Sequence, residues 1–84
     1  MPLSALDLAV LAFERLRWVH AGAREAAIAE RFGVTAVRHA QRVNRVIDDP
    51  AALEHDAQLV RRLQRLRAAR QRGRSARTLA RWAG

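Results

Sequence analysis

The sequence predicts a small all-α fold, a helical bundle of four to five helices that contains a helix-turn-helix. Three observations carry this expectation. Apolar residues recur at three- and four-residue spacing, as in Leu3, Leu6, Val10, Phe13 and Leu16. Residues that start or stop helices fall between those runs. No stretch alternates apolar and polar residues in the two-residue rhythm of a strand. The chain has 84 residues, half of them hydrophobic, which is enough for one small core.

The elements follow in order. Ser4, with Asp7 three residues later, fits a capping-box start. The apolar line that follows predicts a helix from Ala5 to Ala21, with Trp18 and Val19 on a second line and Gly22 as its stop. Ala23 to Phe32 predicts a short second helix with Ala27, Ile28 and Phe32 facing inward. Gly33 supplies a left-handed turn, Val34 plugs it, and Thr35 caps a third helix from Ala36 to Ile47. Asp48-Asp49-Pro50 breaks that helix. Asp49 caps a short turn from Ala51 to His55 with Pro50 at its first position. Asp56 caps a last helix from Ala57 to Gln71, striped by Leu59, Val60, Leu63 and Leu66 and ended by Gly73.

Charge divides the chain. Residues 1–60 hold seven Arg and eight acidic residues; residues 61–84 hold nine Arg and no acid. The whole excess of +8 therefore sits at the C-terminal end, which points to a polyanionic partner. All basic residues are Arg, whose planar fork of donors suits phosphates and guanine edges, although GC-rich codon usage also favours Arg and Ala. Residues 1–72 read as a helical helix-turn-helix domain. Residues 73–84 read as a flexible Arg-rich tail, disordered or a frayed helix, that orders on a partner.

The helix-turn-helix reading rests on residues 24–47. A steep crossing of two short helices needs a small residue in the first, here Ala29, and a turn residue tolerant of positive φ, here Gly33. Val34 then fills the corner. On the third helix Val43, Val46 and Ile47 point inward, with His39 or Ala40 one turn earlier, while Arg38, Gln41, Arg42 and Arg45 share the opposite face. Arg reads guanine and Gln reads adenine by bidentate pairs in the major groove, which selects Arg38 and Gln41 for base contacts. Arg42 and Arg45 suit bases or backbone. Thr35, at the helix start, is placed to offer its backbone N–H to a phosphate. In the tail, Arg70, Arg72, Arg74, Arg77 and Arg81 are expected on phosphates, or as an arm in the minor groove.

Other chemistry finds little support. There is no cysteine, so disulfides, thiolate metal sites and cysteine nucleophiles are excluded. His20, His39 and His55 lack a common ligand spacing, so no metal is expected. No Gly-rich phosphate loop and no nucleophile–base set appears, so neither a cofactor nor an enzyme is expected. No apolar run approaches a membrane span, and the apolar start from Met1 to Ala12 lacks the basic residues of a secretory signal. A cytoplasmic, nucleoid-associated protein is the expectation.

The segments SALD near residue 4, FERLRWVHAGAREAAIAERFGVT from Phe13 and RVNRVIDDPAALEHDAQLVRRLQRLRAAR from Arg42 carry a resemblance. Together they resemble a family of short actinobacterial and actinophage proteins of uncharacterised function with an Arg-rich end. The resemblance covers nearly the whole chain. It implies a helix-turn-helix fold and brings no established activity. The sequence departs from that pattern at Arg17, where a paired aromatic is usual, at His39 and Ala40, where aromatics are common, and at Arg42, where Leu is common, so its third helix is more basic and less aromatic. The RFGVT turn is also similar, more distantly, to the promoter-reading region four of sigma factors.

The expected function is that of a DNA-binding transcriptional regulator of phage or bacterial origin, with double-stranded DNA as partner. A homodimer on a pseudo-palindrome is in keeping with so small a module, its face supplied by the first helix or by Leu59, Leu63 and Leu66. The alternatives are a nonspecific architectural DNA binder and an adaptor that contacts RNA polymerase or a sigma factor.

Overall fold

The computed structural model describes residues 2–83; Met1 and Gly84, the outer ends of the two expected segments, lie outside them. Five helices follow one another: α1 (Ala5–Glu14), α2 (Ala21–Phe32), α3 (Ala36–Ile47), α4 (Pro50–His55) and α5 (Ala57–Ala83). The described residues contain no strand. No helix among them is long and apolar enough to cross a membrane.

Local side-chain chemistry sets most of the helix starts. Ser4 Oγ accepts from the Asp7 N–H at 3.0 Å, and Asp7 Oδ2 accepts in turn from the Ser4 N–H at 3.3 Å. Thr35 Oγ1 accepts from the Arg38 N–H at 3.1 Å, and Asp49 Oδ1 from the Ala51 N–H at 2.9 Å. Asp56 Oδ1 accepts from the Leu59 N–H at 3.2 Å. Each satisfies a donor that the helix itself leaves unpaired. Gly33 closes α2 at φ 64°, its N–H on the Ala29 carbonyl at 2.9 Å. A Cβ there would meet nothing within 4 Å, so the backbone angle alone calls for glycine.

Helix α1 stops at Glu14, seven residues short of the expected Ala21. The reason is tertiary. Arg62 of α5 donates to the Glu14 carbonyl at 2.9 Å, satisfying an acceptor that another turn of helix would have used. The chain then bends so that the Trp18 ring stacks on Phe13, centroids 5.7 Å apart. Leu16 and Val19, expected on the apolar lines, are left exposed. Gly22 is not a stop; it lies in the first turn of α2.

The core gathers Val10 and Leu11 from α1, Val43, Val46 and Ile47 from α3, Ala52 from α4, and Leu59, Val60 and Leu63 from α5. Leu3 and Phe32 pack against it. Leu59 and Leu63 are thereby consumed, so of the three leucines expected for a dimer face only Leu66 is exposed. Leu6, expected inward, is exposed as well. Ala29 is exposed rather than pressed against α3; Ile28 is the fully buried residue of α2, and Phe32 meets α3 through its ring.

The last helix departs most from expectation. It runs through Gly73 to Ala83 as one helix of 27 residues, about 40 Å long at the usual rise. Gly73 keeps helical angles, and a lone glycine among Ala and Arg costs only about 1 kcal/mol relative to alanine. No proline or left-handed cap interrupts it. Residues 69–82 are all exposed, so this part leaves the bundle as a helix, the second of the two forms expected for the tail, continuous with the last helix and not separated from it at Gly73.

Candidate nucleic-acid interface

Helix α3 divides cleanly into two faces. His39, Val43, Val46 and Ile47 are buried. Arg38, Gln41, Asn44 and Arg45 are exposed, and Arg42 is half-buried at the flank. The four side chains expected to read DNA, Arg38, Gln41, Arg42 and Arg45, converge around one shallow depression. Among the described residues, Arg38 and Arg42 have no acidic partner within 4.0 Å. Arg45 reaches Asp7 only at 3.9 Å and keeps three-quarters of its side chain exposed. The guanidinium groups of this face are therefore largely free to take an external anion.

Thr35 sits at the start of this helix and caps it as expected, its hydroxyl accepting from the Arg38 N–H, while the group expected on a phosphate is its backbone N–H. Its side chain shapes the helix start.

The inner face fixes the orientation of the outer one. His39 is fully buried, and its Nε2 lies 2.8 Å from Glu14 Oε1. Arg24 of α2 donates to the same oxygen at 2.7 Å, and Arg62 of α5 holds the carbonyl of the same residue. Glu14 thus ties the end of α1 to α2, α3 and α5. The His39 ring stacks on Phe32 at 5.2 Å and meets Phe13 edge-on at 5.3 Å. At the other end of α3, Gln64 donates to the Ile47 carbonyl at 3.0 Å. Arg67 forms a bidentate pair with Asp48, at 2.7 and 3.0 Å. The hydrogen bonds from Arg67 hold the Asp48 carboxyl below its ordinary range. None of these partners was legible from spacing; they lie 10 to 48 residues apart in the chain.

The continuous α5 sorts the C-terminal arginines. Arg70, Arg74, Arg77 and Arg81 follow at intervals of four, three and four residues and so share one stripe, within roughly 60° of arc. Arg70, Arg74 and Arg77 line a common depression with Gly73. Arg72, expected with them, falls on the far side of the helix by the same geometry. Arg70 also lines a groove with Ala40 and Asn44 of α3, so the stripe begins beside α3. A separate depression, not anticipated from sequence, gathers Arg15, Arg17, Arg62 and Arg65 around Asp56, which pairs with Arg15. Among the described residues, no three His, Asp or Glu side chains gather in a way that would hold a metal ion.

No curated protein and no solved structure matches the chain. Residues 2–75, spanning the bundle and α5 as far as Ser75, match a family described as protein of unknown function (DUF3263), and the chain belongs to that family.

Proposed function

We propose that the protein binds double-stranded DNA as a helix-turn-helix transcriptional regulator, working at the nucleoid. In this reading α2, the Gly33–Thr35 turn and α3 form the motif. Arg38 and Gln41 meet base edges in the major groove, and Arg42 and Arg45 reach bases or backbone. The α5 stripe, Arg70, Arg74, Arg77 and Arg81, contacts flanking phosphates.

One observation carries the proposal: four long donors of α3 share one exposed face on which, among the described residues, Arg38 and Arg42 have no acidic partner. A second arginine stripe on α5, free of acidic residues, supports the same reading. The resemblance to short actinobacterial and actinophage proteins, and of the turn to region four of sigma factors, goes with this reading of a regulator of phage or bacterial origin.

A nonspecific architectural role has its own support, since residues 69–82 form an exposed, acid-free helix that needs no sequence to bind a backbone. One experiment separates the two. Fluorescence anisotropy on a random 30-base-pair duplex at low and moderate salt is paired with selection of bound sites from a random library. Salt-sensitive binding with an enriched motif is the expected result. Salt-sensitive binding without a motif establishes the architectural role. Absence of binding overturns both and turns attention to an adaptor on RNA polymerase or a sigma factor.

A further inference from the structure

Val37 lies in the first turn of α3, between Thr35, which caps the helix, and the donors Arg38 and Gln41. It is 70% exposed, while the other large apolar residues of α3, Val43, Val46 and Ile47, are buried. A β-branched side chain gives this position no helix-forming advantage over alanine, and here it packs against no core residue. Leu6, Leu8, Leu16, Leu53 and Leu66 are exposed to a lesser degree, and only Val19, Leu79 and Trp82, among the described residues, are about as exposed or more so. Those belong to the loop after α1 or to the protruding part of α5, whereas Val37 stands on a face whose orientation is fixed by buried contacts.

Gln41 follows Val37 by one turn, so the two side chains are neighbours with Cβ atoms about 6 Å apart. In the major groove an A·T pair offers two chemical marks. The adenine edge has a donor and an acceptor that suit a Gln amide, and the thymine has a 5-methyl group that suits an apolar side chain. A Gln and a Val in adjacent turns match those two marks in kind. The first residues of a recognition helix are also those that come closest to base edges.

Resting on the DNA-reading assignment above, we infer that Val37 packs against the 5-methyl group of a thymine and specifies that base at one position of the site. Val37 adds an apolar contact to a face otherwise made of donors. Together with Gln41 it directs one part of the site to A·T pairs, leaving guanine to the arginines.

The test uses the full chain and the duplex selected in the enrichment experiment. Each thymine is replaced singly by uracil, which differs only in lacking the methyl, and affinities are measured by anisotropy. The wild-type protein should bind about fourfold more weakly at one thymine position, the size expected for one methyl-sized group. Val37→Ala should bind the thymine and uracil duplexes alike at that position. The substitution is exposed and favours helix, so the variant keeps its fold, which circular dichroism checks. A uracil series that is flat for the wild type, or a Val37→Ala variant that keeps the fourfold distinction, overturns the inference while the DNA-reading assignment stands. Failure to enrich any motif overturns that assignment, and this inference with it.

Discussion

Helix α3 and the outer part of α5 present similar chemistry and are held in opposite ways. The arginines of α3 stand on a helix capped by Thr35, anchored through buried His39 to Glu14, and clasped at its end by Gln64 and Arg67. Beyond Ala68, no residue of α5 up to Trp82 is buried, and only the helix itself spaces its arginines. Under the proposed function, the difference teaches how the labour of recognition divides. Reading a base edge requires a donor held at a defined angle, because the hydrogen bonds that discriminate are directional. Neutralising a phosphate requires charge at roughly the right place, which an exposed stripe supplies without tertiary support.

The sharpest way to break this contrast is to loosen what holds α3. Phe13 is buried against the rings of Trp18, Phe32 and His39. Phe13→Ala should cost about 3–5 kcal/mol, a large part of the stability of so small a domain. Urea unfolding followed by circular dichroism gives the value; a loss below about 1 kcal/mol would mean that the aromatic cluster does not anchor α3. Removing the proposed readers should leave the fold alone. Arg38→Ala with Gln41→Ala should cost about 1–3 kcal/mol of discrimination for each bidentate pair removed and leave a nonspecific component. Affinities for selected and scrambled duplexes measure this, and an unchanged ratio would show that α3 does not read bases.

On the other side of the comparison, replacing Arg70, Arg74, Arg77 and Arg81 together by alanine should weaken binding to selected and scrambled duplexes alike. The slope of log affinity against log salt should fall by roughly 0.9 for each phosphate that is no longer neutralised. The melting temperature should hardly move, since these side chains are exposed. An unaltered slope would take the stripe out of the interface.

The smallest effect concerns the clasp at the end of α3. Because Arg67 lowers the Asp48 carboxyl, the pair contributes stability above the carboxyl's unfolded value of about 4, and that contribution fades as pH falls through the lower folded value. Asp48 is largely exposed, so the change is slight. Thermal melts from pH 6 to pH 2 should show a somewhat smaller acid loss for Asp48→Asn than for the wild type; identical losses would deny the pair any part in acid stability.

Whatever depends on near neighbours is legible in the sequence. The caps at Ser4, Thr35, Asp49 and Asp56 are readable because each side chain bonds a backbone N–H two or three residues on. The outer face of α3 is readable because helical periodicity assigns faces without knowing the partner. The end of α1 is not readable, since Arg62, 48 residues away, takes the Glu14 carbonyl. Arg72 groups with the other C-terminal arginines only while the chain there is read as irregular, because an irregular chain has no faces; once it is helical, that residue separates from them. Val37 carries no signal in the sequence, because an exposed valine gains meaning only when its face is known to be fixed.

The passage of α5 through Gly73 without a break has a last consequence. A flexible arm is indifferent to its length, but a rod transmits angular phase. One residue inserted after Ala68 would rotate every arginine of the stripe by about 100° relative to α3, whereas seven inserted residues would restore the bearing to within about 20° and push the stripe outward by roughly 10 Å. Under the proposed function the protein would then work as a gauge, coupling a groove that α3 enters to a backbone segment at a set distance and azimuth, and length changes in this helix would be tolerated only where they restore the bearing, as insertions of about 7, 11 or 18 residues do.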